Sequence, residues 1–236
     1  MDLGVNIDHI ATLRNARMGL EPSVLDGALV AQKAGASQIT THLREDRRHI
    51  VDEDVYLLKE KLSIPLNLEM AATEEMEKIA LKLLPNSCCI VPEKRQEITT
   101  EGGLDVVKFE EKIKRMNSNL QEKGILISLF IDADIEQVKA AKRTNAEYVE
   151  FHTGFFAKAF QEGDCSLELK KLKEAAIYAQ SLGIKVNAGH GLNYENVKHM
   201  KEINGIYELN IGHSIISRAV FVGLEKAVSD MVDLIK

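Results

Sequence analysis

Apolar residues recur along this chain in eight short runs, each separated from the next by a longer segment of mixed polarity. Runs of this length that are rich in β-branched residues are typical of strands buried on both faces. The segments between the runs are long enough to hold a helix each. The predicted strands are Leu3–Ile7, Gln38–His42, Pro65–Glu69, Cys88–Val91, Leu126–Ile131, Tyr148–His152, Lys185–Ala188 and Ile206–Ile211.

The segments between the strands carry the periodicity of amphipathic helices. The clearest one begins at Ser166, its expected N-cap, and stops before Gly183, with Leu172 and Ala179 on one face. A last helix is predicted over Ser214–Ile235, after the eighth strand.

Eight strands that alternate with helices predict a parallel sheet of the α/β class. Within 236 residues they favour a closed (β/α)₈ TIM barrel with short extra helices, formed as a single domain over residues 1–236. A doubly wound open sheet is the alternative, but the first turn, Asn6-Ile7-Asp8-His9, lacks its glycine-rich pattern. Ile10–Glu21 is long enough for an extra helix, and Pro92–Asp105 has the length of a lid.

Composition narrows the function classes. A formal net charge of −6 argues against a nucleic-acid binder, although a local basic pocket for anionic substrates remains compatible with it. No apolar run is long enough to span a membrane, and Met1–Gly4 has no basic signal-peptide region, so a cytoplasmic protein is expected. Cys88 and Cys89 are poorly placed to pair or to share a metal, because neighbouring strand residues point to opposite faces. They are interpreted as small buried hydrophobic residues, with a catalytic thiol as the alternative.

Polar and titratable side chains gather at the C-terminal ends of the predicted strands, where a TIM barrel carries its active site. Six of the seven histidines lie in or after these ends. Each residue alone is compatible with a structural role, but their common location favours catalysis. In strand order they are Asn6, Asp8 and His9; His42, Arg44 and His49; Asn67 and Glu69; Glu93 and Thr99; Asp132; Glu150 and His152; Asn187, His190 and Gly191; and Asn210, Gly212 and His213.

Two parts of this group have the chemistry of phosphate binding. Gly212 and His213 open the last helix, whose N-terminal N–H groups attract anions, and a glycine lets a ligand approach the backbone. Arg17, Arg44 and His49 are candidate cationic anchors for phosphate oxygens.

A third part suits acid–base chemistry. Burial at a strand end can raise the pKa of Glu69 or Glu150 towards neutrality, and His42 and His190 can carry protons near pH 7. A divalent metal site is the rival interpretation, but the first strand lacks the His-x-His pair of many metal-dependent barrel hydrolases. No lysine ends a predicted strand, so any amine that reacts with a carbonyl is expected to come from a substrate.

Long motifs at these strand ends resemble the pyridoxine 5′-phosphate synthase family, in the family order and from Leu3 to at least Arg218. They are Asn6–Arg14, His42–His49, Asn67–Met70, Val91–Glu97, Thr99–Gly103, Glu150–Gly154, Val186–Leu192 and Glu208–His213.

The resemblance implies a reaction that joins 3-amino-2-oxopropyl phosphate to 1-deoxy-D-xylulose 5-phosphate and releases pyridoxine 5′-phosphate, inorganic phosphate and water. It implies no metal, no organic cofactor, and a homo-octamer built from dimers. It assigns the aminoketone phosphate to Asn6, Arg17, Gly191, Gly212 and His213, and the deoxyxylulose phosphate to Asp8, His9, Arg44, His49 and Thr99. It makes His42 and Glu69 proton acceptors, His190 a proton donor and Glu150 the transition-state stabiliser.

Two hypotheses from other classes stay open on the residues alone. One is a metal-dependent barrel hydrolase or aldolase acting on a phosphorylated small molecule. The other is a protein that binds phosphorylated ligands without catalysis.

Overall fold

A computed structural model describes residues 1–93 and 102–236, and its eight parallel strands form a closed barrel in sequence order. The strands are β1 (Asp2–Asn6), β2 (Gln38–His42), β3 (Leu66–Ala71), β4 (Ser87–Val91), β5 (Leu126–Ile131), β6 (Tyr148–His152), β7 (Lys185–Gly189) and β8 (Ile206–Ile211). The helices are α1 (Asp8–Ala16), α2 (Val24–Lys33), α3 (Asp52–Lys61), α4 (Glu74–Leu83), α5 (Val106–Gln121), α6 (Ile135–Arg143), α7 (Gly154–Glu162), α8 (Ser166–Ser181), α9 (His213–Val222) and α10 (Leu224–Ile235), with a 3₁₀ helix at Val197–Glu202.

The predicted (β/α)₈ barrel is confirmed, and the open-sheet alternative is wrong because β1 pairs with both β2 and β8. Every predicted strand lies within two residues of the observed one. This agreement follows from burial on both faces, which makes each strand a nearly continuous apolar run. None of the helices in the described ranges is both long and apolar enough to cross a membrane.

The main apolar core lies between the outer face of the strands and the surrounding helices. Outward-facing residues such as Ile39, Leu68 and Cys88 belong to this core. The inward-facing residues are largely polar and bond to one another; Thr40, for example, donates to Asn210 at 2.8 Å. Branched aliphatic side chains fill the interior of many barrels, whereas here the interior is a hydrogen-bonded layer that leads up to the barrel mouth.

The cysteines follow the predicted alternation. Cys88 and Cys89 are both fully buried, Cys88 in the outer core and Cys89 with Val91 and Phe130 inside the barrel. Burial raises the pKa of both thiols, so neither is a ready thiolate.

Three details of the helices differ from the prediction. The last helix is two helices, because Gly223 adopts a φ of 83° and ends α9 before α10 begins. Ser166 is the first residue of α8 rather than its N-cap, and its N–H donates to Asp164 Oδ1 at 2.9 Å. The connection from β7 to β8 holds only a 3₁₀ helix, Val197–Glu202.

A buried carboxyl group near the N-terminal end of the barrel leads to a stability prediction. Glu208 is 5% exposed and accepts a hydrogen bond from Gln38 Nε2 at 2.8 Å. Burial, with the nearby charges of Glu150 and Asp2, raises the pKa of Glu208 from 4.5 to about 8. Between pH 4.5 and about 8 the folded protein therefore keeps Glu208 protonated, whereas the unfolded chain releases this proton. The stability of the folded protein falls as the pH rises through this range.

We expect the Glu208→Gln variant to unfold near the wild-type temperature at pH 5. At pH 9 its unfolding temperature should exceed that of the wild type by about 3 °C or more. In a chain of this size, each kcal/mol of added stability raises the unfolding temperature by about 2–4 °C. The neutral amide keeps the bond to Gln38 and has no charge to desolvate. Thermal unfolding at the two pH values measures the difference, and an equal offset at both would contradict the assignment.

Candidate active site

The ends of β1, β2 and β3 bring four predicted site residues into one partly buried cluster. Asn6 Nδ2 donates to Asp8 Oδ2 at 2.9 Å and to Glu69 Oε2 at 3.4 Å. Asp8 opens α1, and its Oδ1 accepts from the backbone N–H of His42 at 2.9 Å. Because parallel strands end at the same rim of the barrel, residues far apart in sequence meet here.

Two carboxyl groups in the barrel interior have pKa values above their ordinary ones. Burial raises the pKa of Glu69 well above its usual value, and the charges of Glu150 and Asp8 raise it further. Burial also raises the pKa of Glu150 to about 7, although hydrogen bonds from Asn210 and Cys89 oppose the shift. The Asn210 amide donates to Glu150 Oε2 at 2.7 Å. A carboxyl group that titrates near neutrality can both accept and return a proton.

Glu93, just after β4, links two of the predicted site residues. Its Oε2 lies 3.2 Å from His42 Nε2, and its Oε1 lies 3.9 Å from Arg44 Nε. Burial disfavours the Glu93 carboxylate, but bonds from His42 and from the Glu45 backbone outweigh it and lower the pKa. The sequence placed Glu93 at a strand end without a role. Its position two residues after a buried strand was the available signal, and the structure shows that it lies within hydrogen-bonding distance of His42.

A histidine pair marks the junction of β1 and β8. The rings of His9 and His213 pack edge to face with centroids 5.0 Å apart. Burial and the neighbouring His213 lower the pKa of His9, and Asp8 partly offsets this. His213 is the first residue of α9, so the free N–H groups of that helix point to the same part of the mouth.

Gly212, the N-cap of α9, packs against β1. A Cβ atom at this position would lie 2.9 Å from Asn6 Cβ and 3.0 Å from the Asn6 carbonyl oxygen. These contacts are tighter than van der Waals packing allows without a shift. Glycine therefore sets the distance between the start of α9 and the Asn6 cluster, in addition to the ligand access that the sequence suggested.

His190 follows β7 in an unusual backbone conformation. Its φ of 79° and that of Gly191, 78°, are both left-handed, which is strained for a side-chain-bearing residue. Thr153, at the end of β6, is fully buried and holds this turn, with its hydroxyl 2.7 Å from the Gly189 carbonyl and 2.6 Å from that of His190. Burial, and then the charge of His152, lower the pKa of His190 to about 4.

His49 is tied to the mouth through α1. Arg14 Nη2 and Asn15 Nδ2 donate to its carbonyl oxygen at 3.1 and 2.9 Å, and Arg14 also forms a paired ion bridge with Asp54. Its ring packs against His42 with centroids 6.2 Å apart. Burial lowers the pKa of His49, an effect that Asp8 opposes.

One predicted binding residue, Arg17, does not join the cluster. Arg17 is exposed at the far end of α1, roughly 13 Å along the helix axis from Asp8. Thr99 lies outside the described residues, as does much of the Pro92–Asp105 segment interpreted as a lid. Their assigned roles remain predictions.

One set of side chains has the donor types of a metal site. Asp8, His42 and Glu69 each offer a ligand atom, and these atoms lie within 4.8 Å of one another. Carboxylate and imidazole ligands suit divalent ions such as Zn²⁺. The same three groups also suit proton transfer, so their geometry alone is compatible with either use.

Comparison with known proteins gives concordant results. A family model described as pyridoxal phosphate biosynthesis protein PdxJ matches residues 3–236. A curated pyridoxine 5′-phosphate synthase from Geotalea uraniireducens is 56% identical over 234 residues, covering 99% of this chain and 98% of that protein. The enzyme of the same name from Aquifex aeolicus is 54% identical over 241 residues, covering 100% of both.

A solved structure of thiamine phosphate pyrophosphorylase from Pyrococcus furiosus superposes with a TM-score of 0.62 at 15% identity. The match covers 99% of this chain and 95% of that one. At this identity the likeness supports the barrel fold alone.

Proposed function

The chain belongs to the pyridoxal phosphate biosynthesis protein PdxJ family, and we propose that it acts as a pyridoxine 5′-phosphate synthase. In this reaction 3-amino-2-oxopropyl phosphate condenses with 1-deoxy-D-xylulose 5-phosphate. Ring closure gives pyridoxine 5′-phosphate and releases inorganic phosphate and water. The observation that carries the proposal is the partly buried cluster of Asn6, Asp8, His42 and Glu69 at the barrel mouth.

The aminoketone phosphate is assigned to the side of the mouth formed by β7, β8 and α9. Gly212 and His213 supply the helix N-terminus, and Gly191 supplies a left-handed turn without a side chain. Asn6 borders the same space, and Arg17 completes the set. Helix N-terminal N–H groups favour the phosphate dianion.

The deoxyxylulose phosphate is assigned to the opposite side, after β1 and β2. The residues are Asp8, His9, Arg44, His49 and Thr99. Arg44 is 5% exposed and lies 3.5 Å from Asp46 and 3.9 Å from Glu93. A buried guanidinium with fixed neighbours is preorganised to bind an anion.

The proposed chemistry is a series of proton transfers. The substrate amine attacks the ketone and water leaves; proton shifts then give an enamine, phosphate is eliminated and water adds. An aldol-type step then closes the ring, and further loss of water makes it aromatic. His42 and Glu69 accept protons from different directions. Glu93 orients His42, and Glu150 stabilises developing positive charge. No single base reaches every reacting atom, which accounts for several titratable groups at one mouth.

His190 takes the role of proton donor only when a substrate is bound. Its pKa of about 4 makes the free imidazole neutral at pH 7. A phosphate dianion nearby favours the protonated ring, because opposite charges raise the pKa of a base. Binding of a substrate phosphate therefore favours the charged form of His190, which is the form that donates a proton.

The direct test is to mix both substrates with the protein and follow the ultraviolet absorption of pyridoxine phosphate. Formation of this product with release of inorganic phosphate supports the proposal. Binding of both phosphates without product would instead support a non-catalytic phosphate-ligand binding protein.

We expect exhaustive chelation to leave turnover unchanged, because protein acids and bases suffice for every proposed step. The alternative, a metal-dependent hydrolase or aldolase, is favoured by the Asp8, His42 and Glu69 ligand set. Turnover before and after chelation decides between them. Loss of activity that zinc or magnesium restores would contradict the metal-free mechanism.

The proposal extends to the setting of the enzyme. We place it in the cytoplasm as one catalytic domain over residues 1–236, with phosphorylated small molecules as its substrates, no nucleic-acid or membrane partner, and a homo-octameric assembly built from dimers. Light scattering in solution tests the assembly.

A further inference from the structure

Two titratable side chains at the mouth have no part in the roles proposed above. His152 ends β6 two residues after Glu150, so both side chains face the barrel interior. Its imidazole is buried, and Nδ1 lies 3.1 Å from Oδ1 of Asp132, which directly follows β5. A carboxylate and an imidazole are therefore paired beside the site.

The Asp132 carboxylate is itself fixed in place. Its Oδ1 also accepts the Gly103 N–H at 2.9 Å. Gly103 packs so closely on β5 that a Cβ atom there would overlap the backbone of Ile131 and Asp132. The next N–H, of Leu104, donates to the Phe130 carbonyl at 2.7 Å. The carboxylate position is thus set by the backbone around it.

This pairing determines which nitrogen of His152 carries a proton. A carboxylate at Nδ1 requires an Nδ1–H donor, so the neutral ring keeps its lone pair on Nε2. Nε2 points towards Gly154, where any Cβ atom would overlap it and would lie 3.2 Å from Cδ2 of His190. The glycine at 154 therefore allows the two imidazoles to approach each other.

The two imidazoles form one aromatic cluster. The centroids of His152 and His190 are 5.1 Å apart, with the rings inclined at 54°. Phe130 packs against both, at 5.4 and 6.5 Å, and Phe155 covers His152 at 5.2 Å. The ring of His190 is thus packed against His152 while its backbone is held by Thr153.

We propose that Asp132 and His152 form a carboxylate–imidazole dyad that positions the His190 ring and governs its protonation. The inference rests on the proposed function, in which His190 donates a proton. Asp132 and His152 are positioning residues, since they act through His190. A positive charge on His152 disfavours protonation of the neighbouring His190. Because Asp132 is bonded to His152, its carboxylate influences the charge of His190, the proton donor.

The surroundings of the rings limit what else can control this charge. In the described part of the chain, β5 contributes the Asp132 carboxyl and β6 the Glu150 carboxyl below the rings. The neighbouring strand β8 contributes the uncharged Asn210 amide, and α7 contributes the Phe155 ring. The charge of His152 also contributes to the lowered pKa of His190, after burial.

The test replaces His152 with Phe, which keeps an aromatic ring but removes the nitrogens. We expect kcat to fall roughly 10–100-fold, as for other residues that orient a functional histidine, with KM for both substrates within about twofold. The titration of His190, followed by NMR of labelled imidazoles, should move to higher pH. The basic limb of the kcat profile should move in the same direction.

His199 offers a matched control. Its Nδ1 lies 2.8 Å from Glu202, and its ring packs against Phe156 and Phe160 with centroids 6.0 and 5.7 Å away. Like His152, it has a carboxylate and aromatic rings as neighbours, but it lies on the 3₁₀ helix, outside the cluster. His199→Phe should retain wild-type kcat, pH profile and His190 titration.

Asp132→Asn is the second variant, because Asp132 is half-exposed and its replacement leaves the aromatic packing intact. We expect about a tenfold loss of kcat and a shifted profile. A wild-type protein that forms no product would refute the proposed function. If the wild-type and His199→Phe proteins are both active, changes in the other two variants report on the dyad alone. If His152→Phe and Asp132→Asn keep the wild-type profile and His190 titration, the dyad is overturned, even if kcat falls through packing.

Discussion

Glu69→Gln is expected to lower kcat by roughly 10²–10⁴-fold, the range that a general base contributes. KM for both phosphorylated substrates should change little, because the substitution preserves the contact of residue 69 with Asn6, a predicted binding residue for the aminoketone phosphate. The amide keeps the size and the hydrogen bond to Asn6 but accepts no proton. Steady-state kinetics with each substrate varied in turn measures the two effects separately.

The pH dependence gives a second readout of the same group. Burial and the charges of Glu150 and Asp8 hold the pKa of Glu69 well above its ordinary value. A base must be deprotonated to act, so wild-type kcat should rise as the pH passes upwards through this raised pKa. The Glu69→Gln enzyme should lose that acid limb.

Glu208→Gln is the matched control, since Glu208 is also buried inside the barrel with a raised pKa. It lies near the opposite end, where β8 pairs with the start of β1, and its replacement should leave kcat near wild type. Arg44→Gln should instead raise KM for the deoxyxylulose phosphate most. A Glu69→Gln enzyme with near-normal kcat would remove Glu69 from the mechanism and leave His42 as the leading base.

Gly212→Val is expected to lower kcat/KM for the aminoketone phosphate by roughly 100-fold, equivalent to about 2.7 kcal/mol of lost transition-state binding. The sequence alone predicted that a side chain would displace the phosphate from the start of α9. The structure adds a contact with Asn6, 2.9 Å from any Cβ atom at this position. Because Asn6 also bonds Asp8 and Glu69, the base cluster should shift as well.

Three measurements separate these effects. Gly212→Ala, which adds only the Cβ atom, should show a smaller loss than Gly212→Val. Thermal unfolding reports whether either variant is misfolded, and KM for the deoxyxylulose phosphate should change less than that for the aminoketone. Unchanged binding of the aminoketone phosphate to Gly212→Val would refute the placement of its phosphate at α9.

Local sequence predicted less well where packing chooses between nearby alternatives. Asp134 followed by Gln137 three residues later is the sequence pattern of a capping box. Asp134 does cap α6, accepting from Glu136 N at 2.8 Å. Gln137, at capping-box distance, instead accepts the Val106 N–H at 2.8 Å and holds the start of α5. Likewise, Gly223 ends α9 inside a segment with a continuous helical pattern. The contact of Gln137 depends on α5, a neighbouring helix that the local pattern does not contain.

The sequence by itself determined the barrel, its strands and the rim on which the chemistry lies. Alternation of apolar runs and helices specifies the strands, and parallel strands in a closed barrel must place their C-terminal ends together. Glu69 and His42 were therefore identifiable as mouth residues without coordinates. The strand period also placed Glu69 on the same face of its strand as Asn67, two residues before it.

Only the tertiary structure decided which of these groups touch one another. The pairing of His42 with Glu93, and of His152 with Asp132, joins residues 51 and 20 positions apart. Such contacts depend on the stagger between strands and on side-chain rotamers, which periodicity does not encode. The raised pKa of Glu69 has the same origin, because burial and neighbouring charge are properties of the assembled barrel mouth.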